Sequence, residues 1–443
     1  MSSDPRSAAS APAASPAQTG TPPRPLEGVR IVDLGGIGPG PFATMVLADL
    51  GAEVIRVHRP QEAAASAASA SGTGMDPVNP VLDRGKRSVV LDLKSEQGVA
   101  AARRLVASAD AVVEGFRPGV AERLGLGPAE LMGDNPSLVF GRITGWGQTG
   151  PDAGRAGHDM NYIAGSGVLA QMGRAGEAPS FPANLVADFG GGGMQLALGI
   201  VSALLRARVD GTGAVVDATM GDGANLLWSM QFGMEAQGVW REGRGTNMLD
   251  SGAPFYDVYR TADDDYVSVG CIEPQFWAEF VQKLELADRL PGITPGAHRL
   301  PQHWDAQRTV FTEAIGARTR AEMDELFAGS DACTVGIRSF EQAEADPHNA
   351  ARGLFYRDEA GIRQPAPAPR FADLGAASWA GGSDAAEAAP AAAETAAPVH
   401  GGGEPYVQPG PAPRVGADTD DVLASAGLST DEVRALREAG VLG

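Results

Sequence analysis

The order of apolar and polar residues divides the chain into two unlike parts. In the first, short apolar runs alternate with stretches of helical period. Val29-Arg30-Ile31-Val32-Asp33-Leu34 predicts a strand, Phe42 to Leu50 a helix, and Glu53 to Val57 a second strand. Ser88 to Leu93 predicts another strand. Across Glu96 to Ala109, Val99, Ala102 and Val106 fall on one helical face. Ala111-Val112-Val113 and Leu138 to Ile143 read as further strands. Such alternation predicts an α/β fold with a parallel, Rossmann-like sheet, because parallel neighbours must be joined by a crossover that covers the sheet. Met194 to Leu205 is apolar nearly all round, which predicts a fully buried helix. It is too short and interrupted to span a bilayer.

From about Trp228 the rhythm changes. Tyr266-Val267-Ser268-Val269 is strand-like, and Gln275 to Leu284 and Arg320 to Phe327 are helical. Residues 226–340 are therefore expected to form a smaller α+β domain beside a large domain at 25–225. Residues 341–443 would be a return linker and the C-terminal part of the large domain. Ser429-Thr430-Asp431-Glu432 has capping-box spacing and predicts a last helix with Val433, Leu436 and Val441 turned inward. Residues 1–24 and 381–413 are dominated by Ala, Ser, Pro and Gly and have little to bury. They read as a disordered leader and a flexible excursion. Gln61 to Gly74, rich in Ala and Ser, reads as a mobile loop insertion.

Charge narrows the partners. The 55 acidic and 35 basic residues give a net charge of -20, so the surface as a whole repels nucleic acid and anionic membrane. The N-terminus lacks the apolar segment of a secretory signal. The chain has 2 cysteines, Cys271 and Cys333, which supply neither a disulfide framework nor a Cys-based metal site. A cytoplasmic protein with no bound metal is the expectation. In so acidic a chain, Arg84-Gly85-Lys86-Arg87 with Arg56, Arg59, Arg117 and Arg123 is a candidate phosphate site. Scattered solvated charges explain the same spacing equally well.

Four segments can carry chemistry. Gly35-Gly36-Ile37-Gly38-Pro39-Gly40-Pro41 follows the first strand, but counting from Gly36 reaches Pro41 where a dinucleotide fingerprint needs Gly or Ala. It reads as a tight strand-to-helix turn lying near a ligand, and a dehydrogenase is disfavoured. Gly157-His158-Asp159 opens a helix, so His158 is a base or a polar cap. Asp188 precedes Gly190-Gly191-Gly192-Gly193. An Asp there is ordinarily an N-cap, yet four glycines imply something bulky against the backbone. Glu273 stands before Pro274 at another helix start.

Together the segments are more specific. Leu26 to Leu34, Gly38-Pro39-Gly40-Pro41-Phe42, Ala48 to Ile55, Gly85-Lys86-Arg87-Ser88, Gly157-His158-Asp159, Ala187-Asp188-Phe189 and Ile272-Glu273-Pro274-Gln275-Phe276 occur in this order. As a set they resemble the family III CoA-transferase superfamily, and within it the α-methylacyl-CoA racemases. The resemblance implies an interlocked homodimer, with each site between the large domain of one copy and the small domain of the other. It implies an acyl-CoA substrate held through its phosphates by Arg59, Lys86 and Arg123, with Tyr162 near the ligand. No cofactor is implied, since coenzyme A is part of the substrate. His158 and Asp188 would be the two bases, with Glu273 beside the histidine.

A 1,1-proton transfer needs one base on each face of the α-carbon, and His and Asp suit it once the pocket adjusts their pKa values. The enolate oxygen would be met by backbone N–H groups at the helix start by Asp159. Met160, Met194, Met230, Met234 and Met248 would offer the acyl chain an adaptable surface or simply fill the core. Transferase relatives instead use an aspartate nucleophile at the position of Asp159. They generally lack the preceding His, so His158 favours the racemases.

Overall fold

The computed structural model describes residues 24–70, 76–241, 243–291, 294, 296–371 and 406–442. The chain opens with β1 (Arg30–Asp33), α1 (Pro39–Asp49), β2 (Glu53–His58), α2 (Pro60–Ala70) and β3 (Arg87–Val90). It continues through α3 (Glu96–Ala107), β4 (Ala111–Glu114), α4 (Val120–Arg123), α5 (Pro128–Asp134) and β5 (Val139–Thr144). Then come α6 (Asp159–Gly165), a π-helix (Leu185–Gly193), α7 (Met194–Asp210) and β6 (Val215–Thr219). Six strands form one parallel sheet in the order β3-β2-β1-β4-β5-β6. The strands are short and apolar because helices cover both faces. One core gathers Ile31, Val54, Val113, Leu196 and Ile200; the other gathers Val32, Ile55, Val89, Leu105 and Phe140.

The order reverses between β1 and β4. There the carboxyl ends of the strands leave a crevice, the usual ligand position in such sheets. Gly38 precedes α1 with φ 74°, and Pro39 starts the helix, so the glycine cluster is the strand-to-helix turn expected.

Next follow α8 (Met220–Leu227) and α9 (Ser229–Ala236). The smaller domain holds β7 (Asp257–Arg260), β8 (Tyr266–Val269), α10 (Pro274–Lys283), α11 (Trp304–Gly316), α12 (Arg320–Phe327) and β9 (Thr334–Gly336). Its antiparallel sheet runs β7-β8-β9. A separate core packs Phe255, Trp277, Phe280 and Phe311. The chain then returns through α13 (Phe340–Ala345), α14 (Pro347–Ala351) and the hairpin β10 (Phe355–Arg357)–β11 (Arg363–Pro365). It ends in α15 (Thr419–Ser425) and α16 (Thr430–Glu438), whose Val422, Leu423 and Val433 enter the large-domain core. Ser429 and Glu432 form the capping box that their spacing predicts.

Four expectations are corrected. Pro60–Ala70 is helix α2 rather than a loop: Pro60 and Glu62 suit a first turn, and the alanines that look featureless are the best helix formers. The remainder of that insertion, 71–74, lies outside the described residues, as do 1–23 of the leader and 372–405. Residues 406–413 are described and lean on the large domain, where Gly85 N donates to Gly410 O at 2.9 Å. Strand β6 was not predicted; it is an edge strand with Val215 and Asp217 exposed, so it lacks a fully apolar run. Helix α7 is not buried all round, since Leu198, Leu205 and Val209 are exposed. Nor is the apolar helix short: the π-helix and α7 together run Leu185–Asp210, 26 residues containing an 18-residue window of mean hydropathy 1.3, enough by length and composition to cross a membrane. Its inner side instead packs on β5, where Leu196 and Ile200 meet Gly141.

Candidate active site

A cleft of about 1400 Å³ opens at the crevice. Its floor is the glycine turn from Leu34 to Gly40, and its walls come from the ends of β2, β4 and β5, from α6 and from the π-helix. The floor is tied down by ions beneath it. Asp33, fully buried, accepts from Arg56 Nη1 at 2.8 and 2.9 Å and from Thr44 Oγ1 at 2.8 Å. Burial pushes this carboxyl up, but the Arg56 and Lys86 charges prevail and bring its pKa down to about 2. Arg56 Nη2 donates to Gly36 O at 2.7 Å, and Lys86 Nζ donates to Pro41 O at 3.1 Å.

His158 is exposed on the cleft as the N-cap residue of α6, and its backbone N–H donates to Asn161 Oδ1 at 3.0 Å. The turn before it is held by Tyr162, whose hydroxyl donates to Gly157 O and whose ring lies against Gly145 and Gly157. A Cβ at Gly145 would come within 2.0 Å of that ring. Tyr162 thus lines the cleft as expected while also supporting the His158 turn.

Asp188 reaches the same cleft from the π-helix. It is not an N-cap. The carboxylate stands over the glycine turn, where a Cβ at Gly38 would lie 3.6 Å from Oδ2. Asn184 Nδ2 donates to Oδ2 at 3.2 Å. Burial raises the Asp188 pKa; Asn184 opposes this, and the Asp159 charge adds to it, while His158 acts to lower it. The four glycines answer to close packing. Cβ atoms at Gly191, Gly192 and Gly193 would meet Ala224 N at 2.7 Å, Met220 Cγ at 2.7 Å and Phe42 Cδ1 at 2.6 Å. The bulky neighbour is helix α8 and the Phe42 ring.

The phosphate residues divide. Arg59 is on the rim, paired with Glu62 at 3.0 Å. Lys86 is not on the cleft: its Nζ is wholly buried, bonds Asp83 Oδ1 at 3.2 Å and lies 3.8 Å from Asp33. Arg123 is exposed but does not line the cleft. Lys94, Arg117 and Arg155 do; of these only Arg117 belongs to the basic group read from the sequence. Arg155 lies over the Trp146 ring at 5.7 Å. His58 is buried beside Glu62 rather than exposed to a ligand. Of the five methionines named from the sequence, Met160 alone borders the cleft, and Met220, not among them, lines it as well. Glu273 is exposed at the start of α10 and stands away from the cleft of its own chain.

The sequence and the fold have known counterparts. The model of the family described as CoA-transferase family III matches residues 26–419. The chain belongs to the family III CoA-transferases. Among family relatives, the α-methylacyl-CoA racemase of Mus musculus is 45% identical over 345 residues, covering 78% of this chain and 86% of the mouse protein. That of Homo sapiens is 44% identical with the same coverage. The crystal structure of Rv3272 from M. tuberculosis superposes with a TM-score of 0.66 at 30% identity, covering 80% of this chain and 94% of that one.

Proposed function

We propose that the chain interconverts (R)- and (S)-2-methylacyl-CoA thioesters by a two-base proton transfer through an enolate. The observation that carries this reading is the meeting of His158 and Asp188 on one cleft from two different helices. One takes the α-proton, leaving its electron pair on the thioester enolate; the other delivers a proton to the opposite face. Asp159 and Met160, in the first turn of α6, line the cleft, and their N–H groups have no partner within the helix, which suits them to meet the enolate oxygen. Arg59, Lys94, Arg117 and Arg155 supply positive charge for the CoA phosphates in an otherwise acidic chain. Coenzyme A enters as part of the substrate, and the chemistry asks for no separate cofactor. The reading includes a homodimer in the cytoplasm, in which Glu273, which does not line the cleft of its own chain, would serve the His158 of a second copy.

The names of the mouse and human relatives support the racemase over a transferase, and so does the state of Asp159. Its Oδ2 accepts two backbone amides and ties it to the π-helix, which suits a structural role, while Oδ1 is buried without a hydrogen-bond partner among the described residues. The test is incubation of each enantiomer of a 2-methylacyl-CoA in heavy water. The intact enzyme is expected to invert both and to place deuterium at the α-carbon. His158→Ala and Asp188→Ala should each lower inversion by about a hundred- to ten-thousand-fold. A hydroxylamine-trapped acyl adduct on Asp159, with no α-deuteration, would establish CoA transfer between carboxylic acids instead.

A further inference from the structure

Two of the carboxylates that line the cleft, Asp188 and Asp159, have opposite roles in the architecture. Asp188 presents its oxygens to the space above the glycine turn. Asp159 is 3% exposed, and its Oδ2 accepts the backbone N–H groups of Ala187 at 2.6 Å and Asp188 at 2.9 Å. Those amides belong to the first turn of the π-helix, where backbone donors have no partner within the helix. A carboxylate makes charge-assisted bonds to them, the stronger kind. The bonds run from the residue next to His158 to Asp188 itself. On its far side the π-helix is wedged against α8, where a Cβ at Gly223 would lie 1.8 Å from Gly191 O. Asp159 therefore joins the element that carries one base to the element that carries the other.

We propose that Asp159 is a positioning residue that fixes Asp188 relative to His158 by accepting the Ala187 and Asp188 backbone amides, so that loss of its carboxylate separates α-proton exchange from inversion. The proposal rests on the two-base reading above. Inversion requires both bases aligned with one carbon, and a misplacement of about 1 Å costs on the order of a hundred-fold. Exchange on one face requires a single base, which removes the proton and returns a solvent deuteron to the same side. A slack joint between α6 and the π-helix harms the first process far more than the second.

The experiment follows deuteration by proton NMR and inversion by chiral chromatography, for each enantiomer, with the intact enzyme, Asp159→Ala and Asp159→Asn. In Asp159→Ala, inversion should fall about a hundred-fold, while deuteration of the enantiomer whose α-hydrogen faces His158 falls less than about ten-fold. Asp159→Asn keeps an oxygen for both amides and should regain at least about ten-fold of the lost inversion. Equal losses of exchange and inversion in Asp159→Ala, or an Asn variant no better than Ala, overturn the proposal. Should the Ala variant fail to fold, the Asn variant decides: inversion within about ten-fold of the intact enzyme upholds the joint, and a larger loss refutes it. An intact enzyme that neither exchanges nor inverts defeats the two-base reading and this inference together. Coupled losses with an active intact enzyme count against the joint alone.

Discussion

At the residue scale, Asp188 is tuned by its surroundings in a direction that can be measured. Burial, aided by the Asp159 charge, raises its pKa above the usual 3.8. The carboxylate needed as a base exists only above that raised value. On the two-base reading, the acid limb of kcat/KM should therefore lie above the usual aspartate value, with activity lost as pH falls through it. The sign for stability is opposite to that of a salt-bridged acid. The folded state holds the Asp188 proton more tightly than the unfolded chain does, so its ionisation at neutral pH costs stability. Asp188→Asn should raise the thermal midpoint at pH 7 while abolishing inversion, and the gain should shrink toward acid pH. A lowered midpoint would contradict this account of the site. Lys86 makes the complementary case. Its motif suggests a phosphate ligand, yet its charge is spent on Asp83, Asp33 and Pro41 O. Burial lowers its pKa despite the Asp33 charge nearby. Lys86→Met should cost about 3 kcal/mol of stability, measured by urea unfolding, because two buried acids lose a partner. It should leave unchanged the preference for an acyl-CoA over the matching acyl-pantetheine. Arg59→Ala, at the rim, should reduce that preference about ten-fold.

At the scale of elements, the π-helix is where sequence and structure differ most instructively. The glycine run at 190–193 signals close approach without naming the neighbour, since glycine marks an absent side chain and not what fills the space. The neighbour, α8, follows β6, an edge strand with too little apolar pattern to be read. Gly191→Ala would set a Cβ 2.7 Å from Ala224 N and 2.8 Å from Gly223 C. Backbone yields poorly, so the variant should lose about 1–3 kcal/mol of stability and displace Asp188. Thermal unfolding and inversion rate should drop together; full activity would mean that the π-helix does not set the base. The inner strands were legible because parallel strands covered on both sides are simply apolar. Helix α2 was misread because Ala and Ser serve loops and helices alike, and α7 because an apolar surface does not reveal which side stays uncovered.

At the scale of the whole molecule, the same logic separates what a sequence states from what a fold arranges. The inner strands of the sheet, the strand and helices read after Trp228 and the last helix follow from periodicity and capping. His158, Asp188 and Asp159 were legible as an ordered family pattern, but the burial of Asp159 against the π-helix amides is visible only in the fold. Arg155 and Lys94 were invisible because a basic residue in a loop gains meaning only from the cleft it borders. Glu273 does not line the cleft of its own chain, so a place beside His158 belongs to the proposed dimer. The central claim is that an imidazole and a carboxylate work from opposite faces of one carbon. Its most direct measurement is deuterium entry at that carbon, starting separately from the R and S thioesters, in His158→Ala and in Asp188→Ala. The account predicts mirror-image results: each variant labels one enantiomer only, and the two variants differ in which. Labelling of the same enantiomer by both, or of both enantiomers by either, would contradict it.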